Sequence, residues 1–138
     1  MNKNILGEDL QKCGPSTGDA ATGYTRNGYC THTKGDRGRH FVCVTRGKTN
    51  EDHQAWEKFL DFTDGTSNKS LSEFLRRTKA DSWCLCEGRY NQALENNSAP
   101  RIKPAATNSL VSGSTASRIL KSLNKMSVCI ENLYQLLG

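Results

Sequence analysis

The chain has 138 residues, a formal net charge of +5 at pH 7 and 35% hydrophobic residues, which indicates one small folded domain rather than a disordered chain. No apolar run is long enough to span a membrane, and the N-terminal residues lack the apolar stretch of a secretory signal. Aromatic and basic residues do not alternate as they do in a base-stacking groove, which argues against a dedicated nucleic-acid binder. We therefore expect a cytoplasmic protein without a membrane span.

The first half of the chain combines a long loop with a short strand and two helices. Residues 13–40 hold six glycines and a proline, which is typical of a loop with a functional role. The β-branched and aromatic residues of 40–45 predict a strand. Apolar spacing and a capping-box pattern predict helices over 51–63 and 70–77. With a strand expected over 82–87, these elements predict an α+β fold in which a small, mostly antiparallel sheet has helices on one side.

The C-terminal part has a different pattern, which predicts an added amphipathic helix. We expect residues 1–108 to form the α+β domain, 109–117 a flexible linker rich in small polar residues, and 118–138 a basic helix. The helix could dock on its own domain, bind a partner or membrane surface, or form a homo-oligomer through a coiled coil over 118–137, and the narrow stripe favours the last. The stripe consists of Ile119, Leu123, Met126, Ile130, Leu133 and Leu137.

A charged cluster of Asp36, Arg39 and His40 lies in the segment KGDRGRH at 34–40, and Asp36 and Arg39 are candidate ligand-binding residues. Arg39 could hold a carboxylate or phosphate through two parallel hydrogen bonds. His40 could act as a general base, because an imidazole changes its charge near neutral pH. The alternative is a structural turn in which Asp36 accepts hydrogen bonds from backbone amides and Arg39 pairs with Asp36 or Asp81.

The segment WCLC raises the question of what Cys84 and Cys86 do. If residues 82–87 form a strand, the two side chains point to the same face. Pairing of this strand with the one that follows His40 would bring the imidazole close to both thiols. Either cysteine could then be a reactive nucleophile with His40 as its base, and the alternative is that both are buried packing residues.

Zinc binding is a further alternative. In a cytoplasmic protein, cysteines are expected to be reduced thiols or metal ligands rather than disulfides. The spacing of one residue in WCLC is shorter than in usual structural zinc sites, so no cofactor is predicted, although zinc remains open. The possible ligands are Cys30, Cys43, Cys84 and Cys86.

The remaining candidate residues would complete a small-ligand pocket. Arg26 and Arg89 add positive charge that favours an anionic ligand. Tyr24 and Tyr29 flank the same motifs and could form its walls.

Several segments in this order resemble a family of small, mostly bacterial proteins that is catalogued only as a domain of unknown function. The resemblance covers roughly residues 5–108 and implies no activity. Two segments depart from the family pattern. TSNKSLS keeps only part of a family element, and AATN stands where the family has EATH, so that an acidic residue is missing and Asn108 replaces a histidine. The segments are ILGEDLQKC, TGYTRNGYC, GDRGRHFVCV, FLDFT, DSWCLC and RYNQALENNSAP.

We expect a protein that binds a small anionic ligand at a Cys/His/Arg site formed by the 23–43 loop and the 82–90 segment, with thiol chemistry as a further possibility. The alternative is a non-enzymatic scaffold or interaction module that assembles through the C-terminal helix and has a zinc-stabilised core. The sequence does not decide whether the protein is an enzyme.

Overall fold

A computed structural model describes residues 2–124 and shows an α+β fold, as predicted. Within this part of the chain, no helix is long and apolar enough to cross a membrane. The elements in chain order are β1 (Val42–Thr45), α1 (Asn50–Asp64), α2 (Lys69–Thr78), β2 (Ser82–Leu85), α3 (Glu87–Glu95), β3 (Arg101–Ile102), a 3-10 turn (Pro104–Ala106) and α4 (Gly113–Asn124).

The three strands form one antiparallel sheet in the order β2-β1-β3. Cys43 of β1 lies directly opposite Cys84 of β2. Because side chains alternate across a strand, these two residues share one face of the sheet, and their neighbours along each strand share the other.

One face of the sheet carries the main hydrophobic core. Val42 and Val44 of β1 and Trp83 and Leu85 of β2 are buried in it. Each helix adds apolar side chains, so the polar helix surfaces remain exposed to solvent. The buried helical residues of this core are Trp56, Phe59, Leu60, Leu75, Tyr90, Ala93 and Ile119.

The opposite face of the sheet carries two disulfides, and the expectation of reduced cysteines is wrong for these four residues. Cys13 is bonded to Cys43, and Cys30 is bonded to Cys84. Both strand cysteines face the long loop, which places its own cysteines over the sheet.

Two threonines tie neighbouring segments to the same face. The backbone N–H of Cys84 donates to Thr22 Oγ1 at 2.8 Å, and that of Cys43 donates to Thr107 Oγ1 at 3.1 Å. Both threonines are fully buried. The long loop is therefore held by buried polar contacts as well as by the disulfides.

Two predicted boundaries differ from the structure. The strand predicted over 82–87 ends at Leu85, because the chain enters α3 directly afterwards. The last helix begins at Gly113, inside the segment predicted as a linker, and its Ile119 is buried in the domain core. Residues 125–138, which include most of the heptad stripe, lie outside the described residues, so the coiled coil and the homo-oligomer stay predictions.

The N-terminus of α1 is stabilised by a local capping box and by a contact with the distant residue Arg101. The Thr49 hydroxyl caps the helix by accepting from the backbone N–H of Asp52, and the backbone N–H of Thr49 donates to Asp52 Oδ2. The other carboxylate oxygen of Asp52 accepts a hydrogen bond from Arg101 Nε at 2.9 Å. The hydrogen bond from Arg101, followed by those from the cap backbone, lowers the pKa of Asp52 to about 2.

This lowered pKa makes the contribution of Asp52 to stability dependent on pH. The contribution is fully present above the unfolded-state pKa of about 4 and is lost as the pH falls towards the folded-state value. We expect Asp52→Asn to reduce the free energy of unfolding by about 1 kcal/mol at pH 7. In urea denaturation, the difference from the unmodified protein should shrink as the pH is lowered from about 4 to about 2.

The matched control is Glu51→Gln, in the same helical turn, which removes an exposed carboxylate. It should change stability by less than about 0.5 kcal/mol. A difference for Asp52→Asn that stays constant down to pH 2 would contradict this account.

Candidate functional site

A cavity of about 470 Å³ lies between the long loop, the start of α2 and the β2–α3 junction. It collects six of the predicted site residues, although they come from three separate segments of the chain. Those six lining residues are Tyr24, Arg26, His40, Cys84, Cys86 and Arg89.

His40 is held in place by a buried carboxylate. Its Nδ1 lies 2.6 Å from Asp36 Oδ1, and its backbone N–H donates to Asp36 Oδ2 at 3.1 Å. The Asp36 side chain is 0% exposed, whereas that of His40 is 35% exposed. When the carboxylate accepts from Nδ1–H, a neutral imidazole has Nε2 as its unprotonated nitrogen. Asp36 therefore orients His40 and is not itself among the lining residues.

Gly38 leaves the space that the imidazole occupies. A Cβ atom at this position would lie 2.6 Å from His40 Cε1. In the KGDRGRH segment, Gly38 thus leaves room for the His40 ring and Asp36 orients it.

Cys86 is the free cysteine among residues 2–124, and it is half-buried in the cavity wall. It follows the last residue of β2 and is the N-cap residue of α3. The N-terminus of a helix favours negative charge, because its backbone dipoles point their positive ends there. A thiolate at Cys86 would therefore lie in a favourable position.

Two arginines give the cavity positive charge. Arg26 places its guanidinium 5.0 Å from the centre of the Trp83 ring and donates to the carbonyl of Gly23. Arg89 donates to Gln92 Oε1 and to Ser67 Oγ. Within residues 2–124, neither guanidinium forms an ion pair with a carboxylate. Both charges are thus available to an anionic ligand.

Arg39 and Tyr29, two other predicted ligand-binding residues, are not among the lining residues. Arg39 donates to Glu87 Oε2 at 3.3 Å and to the carbonyl of Leu110 at 2.6 Å. It joins the long loop to α3 and to the segment before α4. The Tyr29 side chain lies at the surface.

Asn68 and Leu71 complete the cavity and were not predicted as site residues. Both belong to TSNKSLS, which keeps only part of the corresponding family element. TSNKSLS keeps these two residues although it has lost other parts of the family element, and this was the signal that could have identified them.

The predicted zinc ligands do not meet as a set of free thiols. Cys30, Cys43 and Cys84 are in disulfides, and Cys86 lies in the cavity wall instead. A different trio has its sulfur atoms within 4.8 Å of one another: Cys13, Cys30 and Cys43.

Asn108, which stands in place of the family histidine, is fully buried away from the cavity lining. Its Nδ2 donates to the carbonyl of Cys30 at 3.0 Å, and its Oδ1 accepts from the backbone of Leu110 at 2.9 Å. Asn108 therefore joins the loop that contains Cys30 to the segment before α4.

These features define a small disulfide-linked α+β domain with a thiol, an imidazole and two guanidinium groups around one cavity. The chain belongs to the family described as "Uncharacterized protein conserved in bacteria (DUF2237)", which matches residues 3–124. The match confirms the family resemblance seen in the sequence. No curated protein matches the chain.

Proposed function

We propose that the cavity binds a small anionic ligand and that Cys86 is its reactive thiol. One observation carries the proposal: a free thiol, an oriented imidazole and two arginines without carboxylate partners line the same cavity. Pockets of this size, with a few convergent polar groups, are the usual form of a small-molecule site.

Each group has a distinct role in this proposal. Arg26 and Arg89 hold the anionic group of the ligand. His40 accepts the thiol proton of Cys86 at Nε2, and Asp36 holds the imidazole with Nδ1–H towards its own carboxylate. The resulting thiolate attacks an electrophilic atom of the ligand. Cys84 has no such role while its sulfur is bonded to Cys30.

The test compares two alkylating reagents of similar size, neutral iodoacetamide and anionic iodoacetate. In both reactions the thiolate bonds to the reagent's methylene carbon and iodide leaves. The oxidised protein with Cys129→Ser is used, so that Cys86 is its one free thiol. Mass spectrometry follows the rate at pH 7.

We expect Arg26→Gln and Arg89→Gln together to slow iodoacetate about 10-fold while leaving the iodoacetamide rate within about 2-fold. His40→Ala should slow both reagents about 10-fold. Arg37→Gln is the matched control, because it removes an exposed arginine of the same loop that does not line the cavity.

Two results would contradict the proposal. One is a Cys86 that reacts no faster in the native protein than in the denatured protein. The other is an iodoacetate rate that falls equally in the Arg37→Gln control and in the double variant.

A further inference from the structure

Four buried sulfur atoms lie together under the long loop. The Sγ atoms of Cys13, Cys30 and Cys43 all lie within 4.8 Å of one another, and Cys84 Sγ is bonded to Cys30 Sγ at 2.06 Å. All four residues are at most 1% exposed and share a small cluster with Ala106. The two disulfides are therefore neighbours rather than separate cross-links.

We propose that these four cysteines form a tetrathiolate zinc centre when both disulfides are reduced. A dithiol reductant supplies the electrons: two dithiols become two cyclic disulfides, both S–S bonds break, and four thiols form. Binding of Zn²⁺ then replaces the four thiol protons, which are released to solvent. The same four residues thus alternate between two disulfides and one metal centre.

The positions of the four residues suit this change. A tetrahedral site with zinc–sulfur distances of about 2.3 Å places its sulfur atoms about 3.8 Å apart. Within the group of three, the bonded sulfur atoms of Cys13 and Cys43 must separate by about 1.7 Å. Cys84 Sγ, which lies outside that group, must separate from Cys30 Sγ by the same amount and turn towards the other two sulfur atoms. Rotation about χ1 can provide such a displacement without moving the strands. Cys43 and Cys84 are already held opposite each other by β1 and β2.

The positively charged side chain of Lys103 contacts the backbone of the cysteine cluster. Four thiolates around Zn²⁺ carry a net charge of −2, which needs compensation in a buried site. Lys103 Nζ donates to the carbonyl of Cys13 at 2.9 Å, and the Lys103 backbone N–H donates to the carbonyl of Cys43 at 2.8 Å. Among the described residues, no carboxylate forms an ion pair with this ammonium group. Its charge is thus available to the metal centre.

This centre adjoins the proposed ligand site, because Cys84 also lines the cavity, but the two sites use different thiols. Cys86 is not one of its ligands, although it belonged to the zinc set considered from the sequence. Removal of Cys86 should therefore abolish the thiol chemistry and leave zinc binding intact. Failure of either proposal can be recognised without reference to the other.

The experiment uses the full chain with Cys86→Ser and Cys129→Ser, which leaves only the four clustered cysteines. The protein is reduced with dithiothreitol under nitrogen, given ZnCl₂, desalted and analysed for zinc. We expect about one zinc per chain in the reduced protein and less than about 0.1 in the oxidised protein. A thiol-modifying reagent should not react with the four cysteines until a chelator is added.

Two substitutions test the ligand set and the compensating charge. Cys13→Ser in the same background should lower zinc affinity at least about 100-fold in a chelator competition. Lys103→Gln should weaken zinc affinity about 10-fold while the four thiols remain protected. Substitution of Co²⁺ for zinc should give the visible absorption of a tetrahedral thiolate complex in the parent, and Cys13→Ser should change that spectrum.

Three outcomes would overturn the proposal. Reduced protein that remains folded by circular dichroism but holds no zinc is one. Reduced protein that unfolds and is not refolded by zinc is another. The third is zinc bound with equal affinity by the Cys13→Ser protein.

Discussion

Replacing Cys30 and Cys84 together by alanine is expected to lower the free energy of unfolding of the oxidised protein by about 4 kcal/mol. The disulfide joins residues separated by 54 positions and restricts the unfolded chain strongly. It also connects the long loop to β2 at the centre of the fold. Because both partners are replaced, neither position leaves an unpaired thiol of its own.

The measurement is urea denaturation under oxidising conditions with a chelator present, which keeps metal binding out of the comparison. Cys86→Ala is the matched control, since this free cysteine directly follows Leu85, the last paired residue of β2, and carries no disulfide. It should cost less than about 1 kcal/mol. A loss below about 1 kcal/mol for the double variant would show that the cross-link contributes little to stability.

Replacing Asn4 by alanine should lower the free energy of unfolding by about 3 kcal/mol. Asn4 is fully buried, and its amide is fully used. Nδ2 donates to the carbonyls of Asp9 and Ala105, and Oδ1 accepts from the backbone N–H groups of Leu6 and Glu8. Alanine would leave these four backbone groups without the partner that the amide provides, and would open a small cavity.

Asn50→Ala is the control for this second prediction, because that side chain is exposed at the start of α1. It should change stability by less than about 0.5 kcal/mol. Asn4→Asp separates the hydrogen-bonding contribution further: it retains the two acceptor contacts, loses both donors and buries a charge. Burial raises the pKa of this carboxyl group above its unfolded-state value of about 4, so the stability of the variant should rise relative to the unmodified protein as the pH falls towards about 4 and change little below that. Equal stability of Asn4→Ala and the unmodified protein would contradict the prediction.

The regular elements could be predicted because their patterns are local. The aromatic and β-branched run before Val44 indicates a strand in any context, and the apolar spacing of Trp56 and Phe59 indicates a helix. The role of Asn4 could not be predicted in this way, since its partners include the carbonyl of Ala105, about a hundred residues away. A buried asparagine has no periodic signature in sequence.

The candidate site was predictable in its residue types but not in its arrangement. Tyr24, Arg26, His40, Cys86 and Arg89 line one cavity, and their roles in ligand binding and catalysis stay predictions. The sequence did not reveal which cysteines form disulfides and which remain free, because the expectation of a reducing compartment argued against disulfides.

One short segment shows why spacing alone was insufficient for the WCLC motif. Cys84 and Cys86 would share a face only if the strand continued, and it ends at Leu85. The end of a strand depends on how the chain packs afterwards, which a two-residue spacing does not contain.

The order of the paired cysteines along the chain has a consequence for resistance to cleavage. Cys30 lies between Cys13 and Cys43, and Cys43 lies between Cys30 and Cys84, so the two disulfide loops overlap. A single cut of the backbone anywhere between residues 13 and 84 therefore leaves two fragments that remain covalently joined. A protease acting on the exposed glycine-rich loop would nick the oxidised molecule without releasing a piece of it, and the fragments would separate only after reduction.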